Sequence, residues 1–266
     1  MPRSTYYYEL EKKDVDTIKN ADLMAEIKAI FEKNKQIYGV RRVYKELQNQ
    51  GIMVNHKKVQ RLMHKMSLAG KHPKQKYHSY KGEVGKVAAN LIDRNFSAAA
   101  PLQKWTTDVT QFSLCWGKCY LSPILDMNSN EVISHDLSLH PNLEQIKNML
   151  DRAFDKFPET EGLIFHSDQG WQYQHETYRK ALQDHQIIQS MSRKGNCYDN
   201  GIMESFFGRL KNEMFYGHEH EFASFEDFAK AIDEYIDYYN NHRIQAKTKW
   251  MPPSVFRKAS MIETSC

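Results

Sequence analysis

Trp105-Thr106-Thr107-Asp108-Val109-Thr110-Gln111-Phe112-Ser113-Leu114 opens the region whose reading decides the fold. It is a β-like run built for burial, yet it carries a carboxylate, Asp108, in its interior. Two more such runs follow, Cys119 to Met127 and Glu131 to Leu139. Trp116-Gly117-Lys118 and Asn128-Ser129-Asn130 separate them as turn sequences. Pro123 conflicts with an interior strand position and calls for a bulge or a local break. Working outward, the pattern predicts a helix over Leu143 to Phe157, a strand at Gly162–His166 and a helix near Tyr173–Asp184. A short strand at Ile187–Ser190 and helices at about 199–216 and 224–240 complete it. Three antiparallel strands followed by helix, strand, helix and strand predict an α/β unit, its mixed five-stranded sheet flanked by helices.

Upstream the character changes. Residues 1–90 hold 19 Lys+Arg against 9 Asp+Glu, leaving 18 against 24 in the other 176 residues of the 266-residue chain. Within 51–90 there are nine basic residues and one acid, Glu83. A basic segment ahead of a mildly acidic domain points to a polyanion-binding module, although a solvated basic face has the same composition. Residues 21–70 read as a small all-α domain. Leu23, Ile27, Ile30 and Phe31 recur at helical spacing, Gly39 to Leu47 forms a second short helix ending near Gly51, and a third opens after Asn55 with Val59, Leu62 and Met63 on one face. Short helix, glycine turn and basic helix make a helix-turn-helix pattern. In it His56, Lys57, Lys58, Gln60 and Arg61 are expected to face DNA. The expected organisation is an N-terminal extension (1–20), this domain (21–70), a basic linker (71–100) and a catalytic core with C-terminal helices (101–260).

Other classes are disfavoured. No apolar run approaches the roughly 18 residues of a membrane span, and the first residues lack the apolar stretch of a secretory signal, so a cytoplasmic protein without membrane association is expected. Four scattered cysteines make no disulfide framework, and Cys115 and Cys119 lack a second ligand pair at zinc-finger distance, so no zinc is expected.

Three carboxylates stand out. Asp108 lies in a buried run, Asp168 follows the apolar Leu163-Ile164-Phe165, and Glu204 lies in Asn196-Cys197-Tyr198-Asp199-Asn200-Gly201-Ile202-Met203-Glu204-Ser205-Phe206. A buried carboxylate needs a cation, and Mg²⁺ takes a few carboxylate oxygens while keeping positions for phosphate. At 100° per residue, Ile202, Met203, Phe206, Phe207, Leu210 and Met214 fall on one side of the helix. Asn200, Gly208 and Lys211 fall within about 40° of Glu204, so Lys211 is expected on an open face where it meets a DNA phosphate. Asp199 and Asn196 suit the helix start as caps. Arg193 and Lys194, in the loop before this helix, are candidate DNA contacts, and His166 is expected to order the strand end.

These residues make a recognisable set. W-x-x-D-x-T at Asp108, H-S-D-x-G at Asp168, and N-x-x-D-N-x-x-x-E-S-F-F-x-x-L-K with its Glu204 separated from Asp168 by thirty-five residues resemble the DDE signature of insertion-sequence-three family transposases, OrfB type. Tyr239-Asn240-Asn241-His242-Arg243 resembles that family's Y-N-x-x-R motif, with Gln245 where many relatives have His. The resemblance covers roughly residues 20–258 and implies a ribonuclease-H-like, retroviral-integrase-like core. It implies that Asp108, Asp168 and Glu204 are catalytic and hold one or two Mg²⁺ (or Mn²⁺) ions. It further implies metal-dependent DNA cleavage and strand transfer by a 3′-OH. The implied partners are terminal-repeat and target DNA, further copies of the chain in a synaptic complex, and an upstream OrfA-type partner. Arg243 joins the candidate DNA contacts on the same ground. A ribonuclease-H-like nuclease, or a DNA-binding subunit inactive without its partner, shares most of these features.

Overall fold

Val43 and Leu47, spaced four apart, are buried, as are Ile27 and Ile30 of the preceding helix against which their helix packs, and this periodicity builds the upstream unit. The computed structural model describes residues 20–70, 87–193 and 197–264. The chain divides near residue 72 into two compact units. The first contains α1 (Ala21–Lys33), α2 (Val40–Asn49) and α3 (His56–Lys65). Gly51, at φ +81°, makes the left-handed turn after α2. The Asn55 side-chain oxygen accepts from the Lys57 N–H at 2.8 Å and caps α3. Val59, Leu62 and Met63 are buried, while Lys57, Gln60 and Arg61 are exposed. Lys58 is half-buried, and His56 packs edge-on against Tyr44.

The second unit contains β1 (Lys104–Thr107), β2 (Thr110–Leu114), β3 (Gly117–Asp126), β4 (Val132–Ser138), α4 (Leu143–Lys156), β5 (Ile164–Ser167), α5 (Trp171–Gln174), α6 (Glu176–Asp184), β6 (Ile188–Met191), α7 (Gly201–Leu210), α8 (Phe225–Asn241) and α9 (Pro253–Thr264). β4 pairs antiparallel with one edge of β3, and β1 and β2 share the other edge. β1 continues parallel to β5, and β5 parallel to β6. Six strands thus fill five places across a mixed sheet.

The run expected as one strand is broken at Asp108–Val109. The Asp108 Oδ1 accepts from the Val109 N–H at 2.7 Å, a local bond that competes with the ladder. The registers Thr107↔Ile124 and Thr110↔Leu121 set Ser122 and Pro123 opposite this gap. Pro123 is therefore accommodated by a local break: on this edge no ladder partner stands opposite it, while on the other edge it lies in register with His135 of β4.

Neighbouring residues of β3 face opposite sides of the sheet. Leu121 and Leu125 join Phe206, Phe207 and Leu210 of α7 and Phe228, Ile232 and Tyr235 of α8 in one core. Ile124 joins Ile146, Met149 and Leu150 of α4 and Tyr178 and Leu182 of α6 in the other. The segment 87–100, expected as linker, is bound to this unit. Ile92 is buried, the Met191 N–H donates to the Ala89 carbonyl, and the Leu91 N–H donates to the Ser190 hydroxyl at 2.9 Å. The basic run at 71–76 lies outside the described residues.

The Tyr239–Arg243 motif is structural in its details. Asn240 exchanges both side-chain hydrogen bonds with the Val132 backbone, each 2.9 Å, and so ties α8 to β4. Arg243, expected as a DNA contact, is instead buried. Its guanidinium is 1% exposed and forks onto Glu213 at 2.8 and 2.6 Å.

Candidate active site

β1 and β5 are parallel neighbours in the register Trp105↔Phe165 and Thr106↔His166. Carried two residues on, that register sets Asp108 level with Asp168, both just beyond the strands' C-terminal ends. Their side chains are held by the backbone. Asp108 accepts from Val109 as above, and its Oδ2 accepts from the Asn200 side-chain amide at 2.8 Å. Asp168 accepts from the Gly170 N–H at 2.8 Å through Oδ1. Glu204 is in the first turn of α7, which packs its Met203, Phe206, Phe207 and Leu210 face into the core as the helical projection requires.

The three carboxylates feel one another. Burial, with Asp168 and then Glu204 adding like charge, raises the Asp108 pKa well above the usual carboxylate range. Burial likewise raises Asp168 and Glu204. Among the described residues none of the three has a Lys or Arg within ion-pair distance. Such a group is a strong acceptor set that calls for a cation. The Asn200 amide supplies partial positive charge to Asp108, and its own Oδ1 is buried without a partner. The donor chemistry therefore fits a hard divalent cation. Among the described residues no three acidic, His or Cys groups are drawn close enough to form a ready-made metal cage.

His166 orders the strand ends through a chain of hydrogen bonds. Its Nε2 donates to the Asp199 carbonyl at 3.1 Å, so its Nδ1 accepts from the Ser190 hydroxyl at 2.9 Å, and that hydroxyl in turn accepts from Leu91. Burial lowers its pKa to about 4, keeping the ring neutral. The Asp199 carboxylate is not a helix cap. It gathers Arg193, Arg94 and Asn90 at 3.0–3.3 Å, and the Arg193 guanidinium above all lowers its pKa to about 2. This cluster joins segment 90–94 to the turn before α7, a link that sequence periodicity could not reveal.

The expected DNA contacts separate into groups. Lys57, Lys58 and Arg61 belong to the helical unit, where Lys57 and Arg61 are exposed. Arg193 stays half exposed but is engaged by Asp199 and by Asp93 at 2.6 Å. Lys194 and Asn196 lie outside the described residues. Lys211 is buried rather than on an open face: Nζ donates to the Gln111 carbonyl at 2.9 Å and sits 4.9 Å from the Phe112 ring centroid. A π-helical turn over Lys211–Phe215 follows α7, and β2 covers the lysine. Burial lowers its pKa to about 8. Asn200, on the Glu204 side of the helix projection, is the site residue whose role sequence reasoning missed.

Comparison with known proteins agrees with this architecture. An HTH-like domain matches residues 18–76, and integrase core domains match 98–197 and 204–261. The chain is 46% identical over 257 residues to transposase InsK of insertion sequence IS150 from Escherichia coli K12, covering 97% of this chain and 90% of that relative. It is 52% identical over 210 residues to a transposase-like protein of Haemophilus influenzae, covering 79% and 96%. It is 36% identical over 241 residues to the transposase of IS904 from Lactococcus lactis, covering 89% and 93%.

Proposed function

The chain belongs to the insertion-sequence transposases of the insertion-sequence-three family, and from this premise we propose that Asp108, Asp168 and Glu204 hold one or two Mg²⁺ or Mn²⁺ ions for DNA cleavage and strand transfer. The observation that carries the assignment is the carboxylate set at the ends of β1 and β5 and on α7, raised in pKa chiefly by burial and, among the described residues, with no Lys or Arg within ion-pair distance. Metal bound there supplies Lewis-acid stabilisation of the attacking and leaving oxygens of an in-line displacement at phosphorus. The chain's own residues do the positioning. Val109 and Asn200 fix both oxygens of Asp108, Gly170 fixes Asp168, and α7 presents Glu204 from a rigid core face. His166, held neutral, takes no proton from the reaction and keeps the turn before α7 against the ends of β5 and β6.

In this reading water first frees a 3′-OH at the element end, and that 3′-OH then attacks a second phosphodiester. The helix-turn-helix unit, through Lys57, Lys58 and Arg61, holds the terminal-repeat DNA. Synapsis of two ends brings further copies of the chain together, and an upstream helix-turn-helix partner completes end recognition. Among the described residues no helix is long and apolar enough to cross a membrane.

The test is a strand-transfer assay on labelled, pre-nicked terminal-repeat DNA with Mg²⁺, comparing wild type with Glu204→Gln. Joined product from the wild type alone supports the assignment. Equal joining by both proteins overturns the role of Glu204. DNA binding without joining by either, persisting after fusion to the upstream subunit, overturns the enzymatic reading.

A further inference from the structure

Beside the carboxylates, α7 borders a second feature. Gly201, Ser205 and Arg209, spaced four apart, line one flank of a cleft of about 360 Å³, with Lys247, Asn130 and Tyr239 on its other sides. At 100° per residue this flank is the face next to Glu204. Among the described residues no acidic one lines the cleft. Arg209 is half-buried, with no hydrogen-bond or ion-pair partner among the described residues. Lys247 is turned inward by the Met127 carbonyl at 2.7 Å and the Asn130 side-chain oxygen at 3.0 Å, both uncharged acceptors. The carboxylate in its field, Asp126, is fully buried and already accepts from Leu102 and twice from Ser129.

Two cations therefore share a cleft whose lining carries no carboxylate, and unused donors accompany them. Tyr239 is fully buried, and its hydroxyl has no partner. Behind Asn130, the Gln245 Nε2 is also buried and unpartnered. Gly201 and Ile202, in the first turn of the ten-residue α7, line the cleft as well, and Asn200 makes no side-chain cap bond there. A helix N-terminus favours negative charge. Like charges, spare donors and a positive helix end all favour an oxyanion with several acceptor oxygens.

We propose that the Arg209–Lys247 cleft is a DNA subsite that seats a backbone phosphate of the strand running past Glu204. It rests on the transposase reading in that the anion is assigned to DNA. It also gives Tyr239 of the C-terminal motif a place at the cleft wall as well as in the core.

The test measures binding of the full chain to a fluorescein-labelled terminal-repeat duplex by anisotropy across a salt series, for wild type, Arg209→Ala and Lys247→Met. Each lost phosphate contact lowers the log–log salt slope by about 0.9. The expectation is a slope smaller by about one contact and several-fold weaker binding for each variant. Thermal melting accompanies each titration. Arg209→Ala, which removes no hydrogen bond among the described residues, keeps the proposal testable if Lys247→Met misfolds. Wild-type binding with an unchanged slope for a folded Arg209→Ala overturns the subsite and leaves the transposase reading standing. Absence of wild-type binding at every salt concentration overturns the DNA reading and the subsite with it. Calorimetry with inorganic phosphate separates the sources: phosphate binding lost in Arg209→Ala without any change in DNA slope assigns the cleft to a free anion and overturns the DNA assignment.

Discussion

Replacing Arg243 by Met separates stability from DNA contact. The guanidinium meets both oxygens of Glu213, at 2.8 and 2.6 Å, with side-chain exposures of 1% and 9%. The Tyr235 hydroxyl donates to the same carboxylate at 2.9 Å. Removing one partner of a buried pair strands the other charge and costs about 3–5 kcal/mol. For a unit of 150–250 residues each kcal/mol moves the melting temperature by about 2–4 °C, so Arg243→Met is expected to melt roughly 6–20 °C lower. The partner variant, Glu213→Leu combined with Arg243→Met, removes both charges and is expected to recover part of that loss, because apolar replacement of a whole buried pair is often neutral. The assay is thermal denaturation by circular dichroism, followed by the DNA salt series well below the transition. A DNA-contacting arginine behaves in the opposite way: its loss lowers the salt slope by about 0.9 and leaves melting unchanged. A melt within about 2 °C of wild type, with a lowered slope, would refute the buried-pair account.

Three further expectations follow from the site. The Asp108 and Asp168 pKa values are raised in the folded protein, so their contribution to metal-free stability is full below about pH 4 and falls as pH rises through the raised values. Mg²⁺ is therefore expected to raise the melting temperature more at pH 8 than at pH 5, and Asp108→Asn to remove most of that pH-dependent gain while melting higher without metal. The depressed Asp199 pKa, about 2 against 3.8, corresponds to roughly 2 kcal/mol, discounted to about 1 because Arg193 and Arg94 are half in water. That stabilisation is present above about pH 4 and lost only as pH falls through 2, so Asp199→Asn is expected to melt about 2–4 °C lower, equally at pH 6 and pH 8. Asn200→Ala, which removes the amide from Asp108, is expected to lower the strand-transfer rate at saturating DNA about tenfold while leaving DNA affinity within twofold; an unchanged rate would show that Asn200 does not position Asp108.

The helices and the sheet order were legible because apolar spacing reports the faces that must be buried. Val59, Leu62 and Met63 in α3, and Met203, Phe206, Phe207 and Leu210 in α7, are buried as their spacing requires. The carboxylates were legible for another reason: a charged residue inside an apolar run has few tolerable explanations. What escaped depends on neighbours from distant parts of the chain. A helical projection describes only its own helix, so it placed Lys211 beside Glu204 without the strand residues Gln111 and Phe112 that cover it. Segment 87–94 has little apolar pattern, since polar bonds spanning about a hundred residues hold it, such as Asn90 to Asp199 and Leu91 to Ser190. Arg243 was assigned through its motif, and a motif gives no direction to a side chain.

The break in the first strand links the fold to the proposed chemistry. An uninterrupted strand from Trp105 to Leu114 would engage Asp108 in the ladder with β3. Instead the Asp108 side chain takes its own neighbour's N–H, and Pro123, directly across, offers no N–H to restore the pairing. Two residue types that weaken a strand thus meet at one level of the sheet and end β1 where β5 also ends. The carboxylates of Asp108 and Asp168 consequently leave adjacent parallel strands side by side; burial raises both pKa values, and the charge of Asp168 adds to the rise at Asp108. Replacing Pro123 by Val supplies the missing N–H and tests this. If the break is held jointly, the variant is expected to melt at or above the wild-type temperature while its Mg²⁺-dependent gain shrinks. An unchanged Mg²⁺ response would mean that the Asp108–Val109 bond alone holds the strand open.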